Sequence, residues 1–219
     1  MTELILTADA SGAALAGKSG LVVVIVDIID FSTSMEAAID AGAAAVYGAG
    51  TDNAGPPVKI DPYKAGIRAG REAQRLSTGI YLVAEPRAGD EGARRAGIKG
   101  VIEGIESVGK SALGIIPNLG AETPKYAAMK GMVIVGVTAT GGVAYDAAVT
   151  AGASSVITGT VARTLVKSGF ASARASAERA VRESRRTGKG IAIVAASGNS
   201  LEDLLAAEYL YKAIIPMIR

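Results

Sequence analysis

The sequence predicts an α/β fold of three α/β/α layers, with a mostly parallel or mixed sheet covered by helices on both faces. Three observations carry this expectation. Apolar runs rich in β-branched residues alternate with helical stretches, the spacing of repeated βα units. The composition is 49% hydrophobic with 28 glycines, two phenylalanines and no tryptophan, which suits strands packed closely against Ala-rich helices. At 219 residues the chain has the length for a sizeable core, so 1–219 reads as a single α/β domain, arranged as one body or as two lobes.

The elements follow in order. Strands are expected at Leu21 to Val26, Ala44 to Tyr47, Ile80 to Ala84, Met132 to Thr138, Ser155 to Thr158 and Gly190 to Ala195. Between them, helices are expected near Thr33 to Ala41, Pro62 to Leu76, Thr123 to Met129, Val143 to Ala151, Val161 to Arg186 and Ser200 to Ile214. The stretch 51–57 is rich in turn residues. The Gly-rich region 87–120 resists assignment and reads as a flexible flap, an inserted region or a small subdomain.

Charge and missing residue types narrow the function. The formal net charge is +2, with Lys and Arg interspersed among Asp and Glu, so no nucleic-acid partner is expected. Cysteine and histidine are both absent. That excludes disulfides, Cys/His zinc sites and histidine acid/base chemistry, leaving carboxylates, hydroxyls, Lys, Arg, Tyr or a metal held by oxygen. The start MTELILTADASG has no leader pattern, and no apolar run reaches membrane-spanning length. A cytoplasmic protein with no membrane partner is the expectation.

Ligands of open α/β sheets bind at the carboxyl ends of strands, so the polar residues there are the candidates. Asp27 ends the first strand, and Ser32 and Thr33 open the next helix. Together they suit a hard metal ion and a phosphate, or, equally simply, a strand end followed by an N-cap. Two aspartates separated by one residue, the haloacid-dehalogenase pattern, are not present, because Ile29 holds the second position. Glu85 follows the strand at 80–84, with Arg87 beside it to pair with an oxyanion. Thr138, Thr140 and Gly141 form a strand-to-helix turn that can either approach an anion or cap the helix. Glu202 and Asp203 lie in the first turn of a helix opened by Ser200, as in a capping box.

The order of these segments resembles the 2-phosphosulfolactate phosphatase family. VVVIVDIIDFSTSMEAAIDAGAAAVYGA at 22–49 is similar to that family's first strand and its Asp-Val-Leu-Arg-Ala-Thr-like segment. Residues 84–88, 120–124 and 138–142 are similar to its Gly-Glu-Arg-Gly, Gly-Asn-Ser-Pro and Thr-Thr-Asn-Gly-Thr segments, and ASGNSLEDLLAAEYL to its Ser-Leu-Glu-Asp helix start. The resemblance implies a Mg²⁺-dependent phosphatase of a small phosphorylated acid, acting as a homodimer. Catalytic roles then fall to Asp27, Glu85 and Asp203, and metal binding to Asp27, Glu85 and Glu202. Phosphate binding falls to Ser32, Thr33, Arg87, Thr138, Thr140 and Gly141. Asp30 stands where the family has Arg, which turns the expected substrate away from phosphosulfolactate itself. A non-catalytic ligand-binding or assembly role in the same family is the alternative.

Overall fold

The computed structural model describes residues 2–29 and 31–218. Along the chain come β1 (Leu4–Ala8), α1 (Asp9–Lys18), β2 (Val22–Val26), α2 (Phe31–Asp40), β3 (Ala45–Ala49), α3 (Pro62–Arg75) and β4 (Ile80–Ala84). Then follow α4 (Glu91–Ala96), α5 (Lys99–Glu106), β5 (Ala112–Pro117), a 3-10 turn at Gly120–Tyr126 and β6 (Val133–Val137). The chain closes with α6 (Gly141–Ala151), β7 (Ser155–Gly159), α7 (Ala171–Thr187), β8 (Ile191–Ala195) and α8 (Leu201–Ile214).

The strands form two all-parallel sheets of four, ordered β1-β8-β2-β7 and β3-β6-β4-β5. Helices cover both faces of each, so the expected α/β/α layering surrounds either sheet and the two share a middle helical layer. Period-two alternation of side chains divides the strands between these layers. Val23 and Ile25 of β2 pack inward with α1, α2 and α6, while Val24 and Val26 pack outward on α7 and α8. In the other sheet Ile134 faces inward, and Val133, Val135 and Val137 pack on α3 and α5. Strands buried on both faces therefore read as unbroken apolar runs.

The stretch 87–120 forms α4, α5 and the edge strand β5. Its glycines serve close helix packing. A Cβ on Gly104 would lie 2.0 Å from the Tyr63 carbonyl oxygen of α3, and one on Gly66 would lie 2.2 Å from that of Val101.

The two sheets are built from a repeat. Pairing β1 with β5, β2 with β6, β3 with β7 and β4 with β8 converts one strand order into the other. The repeat is visible in residues: Ala37–Ala38 and Ala41–Gly42–Ala43 recur as Ala147–Ala148 and Ala151–Gly152–Ala153. Each half sends its second strand to one sheet and its third to the other, so α2 and α6 cross between the sheets.

Glu36 and Asp146 occupy matching places on α2 and α6, both buried. Glu36 accepts a hydrogen bond from Thr158 Oγ1 at 2.6 Å and pairs with Arg179 of α7. Asp146, one methylene shorter, accepts from the Asp61 amide at 3.0 Å, Thr150 Oγ1 at 3.1 Å and the Gly50 amide at 3.4 Å. Burial raises its carboxyl above the ordinary aspartate range, opposed by these bonds and by Arg68 of α3. A raised folded-state value means that Asp146 favours the fold below its unfolded value of about 3.9 and loses that contribution as pH rises. Asp146→Asn keeps the Oδ1 bonds and removes the ionisation. It is expected to flatten the decline in melting temperature from acid to neutral pH, followed by calorimetry beside the wild type.

Candidate active site

Asp27 leaves the buried tip of β2 with 3% of its surface exposed. Its Oδ2 accepts hydrogen bonds from Thr140 Oγ1 and from the Gly141 amide, each at 2.8 Å. The N-terminus of α6, which could receive a phosphate, thus holds a carboxylate of the chain itself, where the helix dipole favours negative charge. Glycine is needed at 141 for this approach. A Cβ there would lie 2.6 Å from Asp27 Oδ2 and 2.6 Å from Phe31 Cβ. Gly141→Ala is therefore expected to displace Asp27 and cost about 1–3 kcal/mol of stability, measured by urea unfolding.

The segment after Asp27 is held from two sides. The Ile28 amide donates to Asp203 Oδ1 at 2.9 Å, and Arg87 Nη2 donates to the Ile29 carbonyl at 2.7 Å. Asp203 is buried in the first turn of α8, whose Ser200 Oγ accepts from the Asp203 amide at 3.2 Å. Only the N-cap half of the expected capping box forms, because the Ser200 amide donates to the Ser197 carbonyl and the Asp203 carboxylate is turned to Ile28; Ser200 Oγ also donates to Glu202 at 3.2 Å. Burial pushes the Asp203 carboxyl up to about 6, with the Asp27 charge adding to the shift and the Ile28 amide opposing it. Two acids from β2 and α8 therefore share one electrostatic environment.

Other predicted residues take different places. Ser32 Oγ is fully buried, donates to the Ile25 carbonyl at 2.7 Å and accepts from the Asp27 amide at 3.1 Å. Thr33 Oγ1 donates to the Ile28 carbonyl at 2.6 Å and lies 3.0 Å from Thr160 Oγ1. Thr138 Oγ1 accepts from the Gly142 amide at 2.8 Å. These three hydroxyls, expected to contact phosphate, instead tie the turns that carry Asp27, because buried backbone groups must be paired. Glu85 is half-buried after β4, and Arg87 is exposed. The charge at Asp30 lies outside the described residues.

A cleft of about 450 Å³ opens beside Thr140, lined also by Asp9, Ser11, Pro57, Ser197 and Asn199. Asp9 has φ 65°, a left-handed conformation that aspartate tolerates better than most residues. Its carboxylate accepts from the Gly198 amide at 2.7 Å, joining the end of β1 to the β8–α8 turn. Asp9, Ser11, Ser197 and Asn199 are the polar residues that sequence reasoning missed. Their signal was present in LILTADASG, an apolar segment running directly into a helix, and in the ASGNS turn.

Magnesium can be tested against this donor set. Among the described residues no group of three or more acids is placed to share a metal ion, so the set Asp27, Glu85 and Glu202 is not assembled. Asp27 and Asp203 remain as a pair of hard oxygen donors whose mutual repulsion a cation would relieve. Such a pair suits magnesium, which takes one or two carboxylates and completes its shell with water and substrate phosphate. Among the described residues no helix is long and apolar enough to cross a membrane. No protein-family model matches the chain, and no curated protein matches it.

Proposed function

We propose that the chain is a magnesium-dependent phosphatase of small phosphate monoesters, with Asp27 and Asp203 at its centre. The observation that carries this reading is the burial of Asp203 beside Asp27 at the carboxyl end of β2, held there by the Ile28 amide, where burial and the Asp27 charge raise its carboxyl. Two neighbouring acids repel a phosphate unless a cation intervenes. Asp27 and Asp203 would hold magnesium, which when bound neutralises phosphate oxygens and polarises the phosphorus. Thr140 and the Gly141 amide fix the Asp27 carboxylate, and the Ile28 amide fixes Asp203, so neither acid reorients as charge develops. Hydrolysis adds water across the P–O bond, releasing an alcohol and inorganic phosphate.

The engagement of Ser32, Thr33 and Thr138 within the fold favours a second reading, a ligand-binding protein without turnover. Phosphate release from a panel of small phosphate monoesters, with and without Mg²⁺, separates the two. Magnesium-dependent release supports the phosphatase; absence of release across the panel supports the binding protein.

A further inference from the structure

The reaction centre has an apolar neighbour. A cavity of about 440 Å³ is lined by Ile28, Val161, Phe170, Leu205 and Tyr209, with Glu202 as its charged lining residue. Ile28 follows Asp27 and donates its amide to Asp203, and Glu202 precedes Asp203, so the cavity shares two walls with the site. Its floor includes Ala173 and Ala206, both 3% exposed, while Phe170 and Tyr209 stand at the rim with ring centroids 6.4 Å apart and nearly parallel. Four chain segments border the space, giving an open concave cleft of small-molecule size.

The geometry points to a subsite for the uncharged aryl or branched-alkyl group of the substrate, making the preferred substrate a phosphate monoester of an apolar alcohol. The inference rests on Asp27 and Asp203 being the reaction centre. Charge complementarity selects this occupant: among the described lining residues the pocket offers one carboxylate and neither Lys nor Arg, so a second carboxylate or sulfonate on the substrate meets repulsion there. The stacked Phe170 and Tyr209 rings at the rim add apolar aromatic surface for an uncharged group to cover.

Benzyl alcohol and benzyl phosphate are suitable probes. Benzyl alcohol added to the wild-type protein is expected to shift the Ile28 and Val161 methyl resonances. Leu205→Glu, at a 56% exposed position of the wall, is expected to weaken that binding by about tenfold or more. Leu15→Glu on α1, at a 65% exposed position, is expected to leave it unchanged. In turnover, wild type is expected to favour benzyl phosphate over phosphoglycolate in kcat/KM, and Leu205→Glu to lose the preference. Unshifted Ile28 and Val161 resonances, or equal affinity in Leu205→Glu, would overturn the subsite. So would a wild-type dimer that Leu205→Glu dissociates, since the patch would then join two copies. Benzyl alcohol binding at these methyls without hydrolysis of either phosphate would uphold the subsite and defeat the phosphatase reading.

Discussion

Asp27→Asn is expected to lower magnesium-dependent phosphate release by about 10²–10³-fold or more while the protein stays folded. The size follows from removing a preorganised charge at the proposed reaction centre. Asparagine keeps one side-chain oxygen to accept from Thr140 Oγ1 and the Gly141 amide, which hold Asp27 at 2.8 Å each. The turn between β6 and α6 is thereby preserved, and the lost quantity is the negative charge. Steady-state phosphate release beside circular dichroism checks both halves of the expectation. A variant that turns over like the wild type would remove Asp27 from the chemistry.

Phe31→Ala is expected to cost about 3–5 kcal/mol of stability, read as a lower urea midpoint with an unchanged slope. Phe31 is fully buried in the layer between the sheets. Its ring meets Tyr145 edge-on at a centroid distance of 5.9 Å. It also lies over two glycines of the second sheet, where a Cβ on Gly48 or Gly136 would approach its ring to 2.6 or 2.7 Å. The cavity left by alanine would be bounded by two sheets and two helices, so collapse could recover little of it. Phe31 also abuts Gly141, and its loss would loosen the helix end that holds Asp27.

Legibility in the sequence followed burial. The central strands β2, β4, β6 and β8 were readable because both their faces are covered and their side chains are uniformly apolar. The edge strands β3 and β7 were readable too, each ending in buried residues, whereas β1 and β5 were not, since LILTA and ALGIIP are only partly buried and border glycine- or polar-rich segments. Helix α1, DASGAALAGK, lacks a clear apolar stripe because Gly12, Ala13, Ala16 and Gly17 are buried against close neighbours. A Cβ on Gly17 would lie 2.5 Å from the Ala148 carbonyl oxygen. Helix α7 begins at Ala171, ten residues after the expected start, because Thr164 Oγ1 ties 164–167 into a turn. The internal repeat, Ala-Ala-x-x-Ala-Gly-Ala in both halves, went unread in the sequence and emerged from the matching strand orders; it explains why the expected strands divide between two sheets.

At the site, Asp27 and Asp203 come together as the sequence order suggested, Glu85 and Glu202 do not join them in one cluster among the described residues, and the hydroxyls of Ser32, Thr33 and Thr138 are engaged by the backbone. Asp27 ends a strand and Asp203 opens a helix, places where an acid serves a site or a cap equally well, and their burial side by side is what the structure adds. Ser32, Thr33 and Thr138 occupy positions where a hydroxyl serves equally well for capping or for phosphate, and sequence spacing cannot separate these uses. Only the positions of Ile25, Ile28 and Gly142 decide between them. Asp9 escaped notice because β1 did.

The most direct test is a Mn²⁺ titration followed by electron paramagnetic resonance, with manganese standing in for magnesium. Wild type is expected to bind one ion, displaceable by Mg²⁺, and the Asp27→Asn/Asp203→Asn double variant to lose that binding while remaining folded. Binding undiminished in the double variant would contradict the assignment of these two acids as the metal-holding centre.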